Sequence, residues 1–413
     1  MSKATLNDIR VGFIIVIKWI AVAIVLGIVV GVIGSLFSLG LERITEIRGN
    51  YKWLIVFLPI AGILITFMYR ASGLGEDQGT NRIFRAVRTN ATVKTRRAPL
   101  VFISTLISHL VGASVGREGA ALQIGGSVAN TMAKGFRFKE EDKRIIIIAG
   151  MAACFTALFG TPFAASVFAI AVISSGVLYY QALLPALISS IVAKLVSMYW
   201  FDITPDIVLL GSVEAFSFTP FMQVLLIAGA ASIVSVIFCL SIKYFRKLLI
   251  WISPNPYLRS SIGGCILLLL IIIFGYNYCG AGFNIIDKCL DSKASNYAFL
   301  LKMVFTIIAV SAGFKGGEIV PALTIGAALG FTISNVCGFD LGLMVGCGMI
   351  SMFCGITNCP IASVILGLEL FQNIDILPYL AIASVLTYVF SGYISIYEGQ
   401  EFSFSKYKLN INQ

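Results

Sequence analysis

Apolar stretches of membrane-spanning length follow one another along most of this chain, and that leaves few folds open to it. They include Val11–Gly40, Trp53–Tyr69, Ile145–Tyr180, Phe221–Leu240, Ile262–Tyr276 and Leu341–Phe371. About 20 apolar residues cross a bilayer as a helix, so runs of about 30 must tilt or hold two shorter helices joined by a break. Of the 413 residues 58% are hydrophobic and only 12% charged, against about 25% charged in soluble domains. The expectation is an all-α polytopic membrane protein, one transmembrane domain over residues 1–413, with about ten spans and several partial ones. The first run is too long for a signal-peptide core and lacks a small-residue cleavage site, so it is read as structure.

Against that background three acids stand out: Glu118, Glu318 and Glu369 lie inside apolar stretches. A carboxylate there costs about 2.5–3.5 kcal/mol on insertion scales and marks a functional site by default. Glu118 and Glu318 fall in glycine-rich breaks, Gly116-Arg117-Glu118-Gly119 and Gly316-Gly317-Glu318-Ile319-Val320-Pro321, each opening a new apolar helix. Glycine lets the backbone bend sharply and bring its N–H groups close to a ligand. The helix that follows points about half a positive charge into the break. Buried N–H groups in lipid must be satisfied, and either a small anion or a swinging carboxylate can do so. Glu118 is placed to compete with an anion for one site, which couples proton movement to anion movement. Glu369 sits near the end of its run, where an interfacial position or a structural hydrogen bond is expected.

The net charge of +10 reads as juxtamembrane charge and not as a nucleic-acid surface. Arg70, Arg82, Arg85, Arg88, Lys94, Arg96 and Arg97 cluster in one loop, Lys3 and Arg10 near the N-terminus, and two spans separate the groups. Both groups can therefore face the cytoplasm, as the positive-inside rule asks. Nine cysteines, including Cys154, Cys265, Cys347 and Cys354 inside apolar runs, show no CxxC spacing and read as buried thiols. With His109 the one histidine, a zinc site is not expected. An intramembrane protease would need a Ser–His pair or two aspartates at membrane depth. Ser108 and His109 are sequence neighbours on different helix faces, so no enzyme is expected.

The chain also repeats itself. Gly150-Met151, Phe155, Pro162 and Ala164 recur as Gly348-Met349, Phe353, Pro360 and Ala362, an offset of 198 (348 − 150). Upstream, Leu122, Ile124 and Gly125 recur as Leu323, Ile325 and Gly326, an offset of 201 (326 − 125). Two related halves, 11–201 and 220–400 and joined around Asp202–Thr219, with broken helices in corresponding places, are the pattern of a transporter whose site lies where the halves meet. Glu369 falls where the first half has Ala171.

The first break resembles the G-(K/R)-E-G-P signature of the CLC family of chloride channels and chloride–proton antiporters, with Ala120 in place of proline. The resemblance implies a CLC-like fold of two inverted-topology halves with many tilted and broken helices. It implies that Glu118 is the external gate, with Gly116, Arg117 and Gly119 around the anion. The second break resembles the family's G-x-F-x-P segment, whose helix-start amides hold the central anion. That implies Ile319, standing for phenylalanine, and Val320. Its Gly-Gly-Glu form looks more like the fluoride-transporting branch, with Glu318 either a proton relay or an ion-pair partner of Lys315. Ser391–Gln400 resembles the terminal segment that offers a tyrosine hydroxyl, implying Tyr397 first and Tyr393 second.

Two departures accompany these matches. Where the family has G-S-G-I-P, this chain has Gly75-Glu76-Asp77-Gln78-Gly79-Thr80, leaving backbone coordination through Gly79 or Thr80. The internal proton-accepting glutamate of the antiporters falls at Ala171 or Val172, leaving Glu318 as the substitute. The function implied is exchange of a small anion, chloride in first place, for protons, with a bound halide and no other cofactor. The alternatives are a fluoride–proton antiporter and a passive chloride channel. The resemblance further implies a homodimer in the cell membrane, and both termini are expected in the cytoplasm.

Overall fold

A computed structural model describes residues 3–75, 79–89, 91–205, 207–211 and 217–406. Sixteen α-helices carry the chain among the described residues. The first eight are α1 (Lys3–Asn50), α2 (Leu58–Ala71), α3 (Thr80–Thr89), α4 (Arg97–Leu110), α5 (Glu118–Gly135), α6 (Glu140–Phe159), α7 (Pro162–Ala171) and α8 (Leu183–Phe201). The second eight are α9 (Phe218–Ile252), α10 (Pro256–Phe274), α11 (Phe283–Leu290), α12 (Ala298–Ala312), α13 (Ile319–Cys337), α14 (Leu341–Thr357), α15 (Pro360–Phe371) and α16 (Leu377–Phe390). Two-residue strands β1 (Ser174–Ser175) and β2 (Glu401–Phe402) pair in parallel and tie the tail back to the end of α7.

The expected span count resolves into two populations. Six helical stretches are long and apolar enough to cross a bilayer, and six apolar helices of 10–17 residues are too short to cross alone. The long run Ile145–Tyr180 divides at Gly160, and Leu341–Phe371 divides at Asn358. The break has the same chemistry in both places. Gly160 (φ 70°) and Asn358 (φ 56°) take the left-handed conformation that ends α6 and α14. Two residues on, Pro162 and Pro360 open α7 and α15 at the first helical position, where a missing N–H costs nothing. Asn358 stabilises its left-handed backbone by donating from Nδ2 to the Ile394 carbonyl at 2.9 Å.

Helix packing uses small residues, as it must where lipid offers no hydrophobic drive between helices. A methyl group on Gly125 would overlap the Gly150 carbonyl, so α5 and α6 touch backbone to backbone there. Gly326 and Gly348 do the same for α13 and α14, in the corresponding places of the repeat. Side chains facing outward from α1, α2, α9 and α10 are large and apolar, among them Phe13, Phe67, Ile233 and Ile272, as lipid requires. All nine cysteines are free; Cys265, exposed on α10, differs from the expectation of burial, and Cys337 at the end of α13 is exposed too.

Candidate functional site

The two glycine breaks meet in the interior. Gly116 donates its N–H to the Gly317 carbonyl at 2.6 Å, and Gly317 donates to the Gly116 carbonyl at 2.8 Å. These are equivalent positions on the upstream offset (317 − 116 = 201), so the reciprocal pair marks a local two-fold relation between the breaks. The Glu118 carboxylate packs over this bridge. A methyl group at Gly116 would lie 2.5 Å from Glu118 Oε2 and 2.8 Å from Pro321 Cδ, and one at Gly317 would overlap the same carboxylate. Glu118 is fully buried as the first residue of α5. The backbone N–H groups of Arg117, Glu118 and Val320 approach its carboxylate, yet among the described residues neither oxygen receives a hydrogen bond of full geometry. The first turns of α5 and α13 thus share one carboxylate, which their partial positive charges attract.

Two further chain segments close the pocket around the breaks. Gly79 (φ 55°) and Thr80 bring the start of α3 up to the first break. Gln123, one turn into α5, donates from Nε2 to the Gly119 carbonyl at 3.0 Å and to Thr80 Oγ1 at 3.5 Å. Glu76, Asp77 and Gln78 of that turn lie outside the described residues. Arg97, one of the cluster read as juxtamembrane charge, turns inward. It is buried, and its Nη1 donates to the Gly79 carbonyl at 3.3 Å and to Gln123 Oε1 at 3.4 Å. From the far end of the chain, Gly399 donates its N–H to Asn81 Oδ1 at 2.9 Å, which fixes the neighbouring Tyr397. The Tyr397 ring lies edge-on to Phe84, centroids 5.1 Å apart, and its buried hydroxyl has no hydrogen-bond partner among the described residues. Tyr393 is placed differently: its hydroxyl bonds Ser405 Oγ at 3.0 Å and accepts from the Lys406 amide at 2.9 Å.

Glu318 stands at the head of α13 as its N-cap and lines a cavity of about 950 Å³ that Tyr397 also lines. Arg70, Arg85, Lys243, Arg246 and Arg259 line the same cavity, making it a basic vestibule. Glu118 is absent from its wall. So the two acids occupy different compartments, one half-buried at the vestibule and one sealed behind it. Among the described residues no ion pair joins Glu318 to Lys315, whose ammonium sits 4.2 Å from the centre of the Tyr69 ring.

The remaining expected residues are spread more widely. Arg117 sets its guanidinium against the rings of Phe159 and Phe283, at 4.7 and 5.3 Å, so aromatic faces hold that side chain. Ile319 and Val320 are buried in the first turn of α13, facing the bridge through their backbone. Glu369 makes a structural bond: its carboxylate accepts from the amides of Phe163 (3.2 Å) and Ala164 (2.7 Å), capping α7 from the other half of the chain. At the place of the absent internal acid, Val172 is buried and its carbonyl accepts from Gln400 Nε2 at 3.0 Å.

A cation also lies inside an apolar run. Lys302 is fully buried in α12 and donates to Gly280 O (2.6 Å), Ser114 Oγ (2.9 Å) and Tyr278 O (3.2 Å). A lysine in the run Ala298–Ala312 was itself the available signal. Asn81 and Gln123 carried no such signal, being ordinary polar residues until the fold brings them to the breaks.

Helices broken in the membrane interior, aimed at one carboxylate and backed by a basic vestibule, define a polytopic protein that moves anions. The chain belongs to the voltage gated chloride channel family, which matches residues 61–392. A chloride/fluoride channel protein of Pseudomonas syringae pv. tomato is 34% identical over 401 residues, covering 94% of this chain and 88% of the relative. The H(+)/Cl(-) exchange transporter ClcA of Vibrio cholerae is 24% identical over 405 residues, covering 89% and 85%. The crystal structure of a CLC-type fluoride/proton antiporter superposes with a TM-score of 0.89 at 31% identity, covering 94% of this chain and 98% of the other.

Proposed function

We propose that this protein exchanges a small halide for protons, with Glu118 as the gate. The observation that carries the reading is the position of its carboxylate over the Gly116–Gly317 bridge, beside helix-start amides that give neither oxygen a complete hydrogen bond. A deprotonated Glu118 occupies that cradle. Protonation removes the charge the amides attract, and a halide takes its place, held by the amides of Ile319 and Val320 and, on the vestibule side, by the Tyr397 hydroxyl and the backbone at Gly79. Glu318 exchanges protons with the vestibule, which supplies the acid that Ala171 and Val172 cannot.

Fluoride is the substrate favoured by the chloride/fluoride channel protein and the fluoride/proton antiporter, whose names carry fluoride; chloride is the second reading, favoured by the exchange transporter ClcA. The third, a passive channel, has only the apolar Ala171 and Val172 in its support. The vestibule and the basic loop face the cytoplasm of a cell membrane, as the excess of lysine and arginine there favours, with both termini on that side. A second copy packs against the faces of α7 and α15 that expose Phe163 and Ile361. No cofactor beyond the bound halide is called for by this chemistry.

The test is purified protein in liposomes, with fluoride or chloride flux and proton movement recorded together. Uphill proton movement driven by the anion gradient is expected. Anion flux that moves no protons removes the exchange reading.

A further inference from the structure

Lys302 is the only charged side chain in the fifteen residues of α12. Its ammonium has three N–H donors and no acceptor, and the three acceptors around it, Gly280 O, Ser114 Oγ and Tyr278 O, take one each. This sets the direction of the hydroxyl chain beside it. Having accepted from Lys302, Ser114 donates to Thr306 Oγ1 at 3.0 Å, and Thr306 donates to the Lys302 carbonyl at 2.9 Å. The ring closes on itself and ties α12 to loop 111–117, which carries Gly116.

The same loop is held by other cationic and titratable groups. His109 Nε2 lies 3.3 Å from the Gly116 carbonyl, and Arg48 Nη1 donates to the His109 carbonyl at 2.6 Å. Arg48 comes from α1, His109 from α4, Arg117 and Glu118 from the head of α5, and Tyr278 and Cys279 from the connection before α11. Glu118 is the single acid in this company. Among the described residues no carboxylate lies within ion-pair distance of Lys302. A buried cation without a carboxylate partner is costly, and inside a membrane it marks an ion pathway. None of Ser114, Tyr278, Gly280 and Lys302 lines the vestibule, so this charge serves the cradle from another side.

We propose that Lys302 is a positioning residue for transport: its ammonium draws the anion into the cradle while its hydrogen bonds hold the first break in place. The proposal rests on the transport reading above. Losing one unit charge close to a dry site raises the half-saturating anion concentration about tenfold, so Lys302→Met is expected to do that in proteoliposomes. Lys302→Arg, which keeps the charge, is expected to stay within about threefold of the parent. Ser114→Ala breaks the clamp but leaves the charge, and should lower turnover with the half-saturating concentration unmoved. Should Lys302→Met fail to fold, Lys302→Gln keeps two N–H donors for the carbonyls and is read the same way. An unchanged half-saturating concentration in the neutral variant, or an equal rise in Ser114→Ala, would overturn the proposal. A parent protein without proton-coupled flux would instead defeat the transport reading, so the two failures are distinguishable.

Discussion

Gly116 and Gly317 exchange hydrogen bonds across the local two-fold at 2.6 and 2.8 Å, and the Glu118 carboxylate fills the space where either would carry a side chain. Gly317→Ala pushes that carboxylate out of its cradle. Overpacking of this kind costs about 1–3 kcal/mol. The variant should therefore unfold earlier in detergent and lose more than about tenfold in flux, since a displacement of about 1 Å already costs that much at a positioned site. Transport at the parental rate would mean that the cradle is not the anion's route.

Glu118→Gln imitates a permanently protonated gate of the same shape. Anion flux is expected to persist while its dependence on the proton gradient disappears, read from simultaneous halide and pH electrodes. Coupling that survives the substitution rejects the gate.

Glu318 stands at the vestibule, in a different compartment from Glu118. Glu318→Gln should slow proton movement more than anion movement, so that the ratio of the two falls in the same two-electrode recording. Equal loss of both would assign Glu318 a structural role.

The Tyr397 hydroxyl is buried without a hydrogen-bond partner among the described residues. Tyr397→Phe therefore breaks no hydrogen bond within the fold, and its unfolding midpoint should match the parent to within about 0.5 kcal/mol. Halide binding by calorimetry should weaken about three- to tenfold, the value of one lost hydrogen bond. A change in stability with no change in binding would reverse the assignment.

Outside the spans, Lys406 donates to Asn358 Oδ1 and to the Tyr388 carbonyl, both at 2.6 Å, and to the Gly392 carbonyl, fastening the tail over the end of α16. Burial pushes its ammonium down to about 8 from the ordinary 10.5. Between those values the unfolded chain holds more protons on this residue than the folded one, so stability rises with pH across that window. Thermal unfolding of the parent and Lys406→Met should show the parent gaining on the variant from about pH 7.5 to about pH 10. A constant difference would show that Lys406 does not titrate differently on folding.

Much of this arrangement can be read from the chain. Apolar runs, glycine breaks and the prolines at 162 and 360 locate the helix starts, and the repeat pairs the two breaks before any contact is known. Contacts between distant residues are a different matter. Lys302 and Ser114 are 188 residues apart, and Gly399 and Asn81 are 318 apart. No local pattern encodes such pairs. Arg97 illustrates a second limit: in the sequence it belongs to a run of basic residues, and only its place at the start of α4 buries it between Gly79 and Gln123. Span length is hard to read for a related reason, because helices of 10–17 residues share the composition of full spans without their length.

The glycine bridge has a dynamic consequence. The two halves of the chain are stitched together at several points, by Gly116 with Gly317, Gly399 with Asn81, and Glu369 with the head of α7. Rocking one half of the molecule against the other would break the Gly116–Gly317 bonds in each cycle, at a place buried away from water. A carboxylate turning about its own side-chain torsions breaks none. On the transport reading, what moves during a turnover is then a few atoms at position 118.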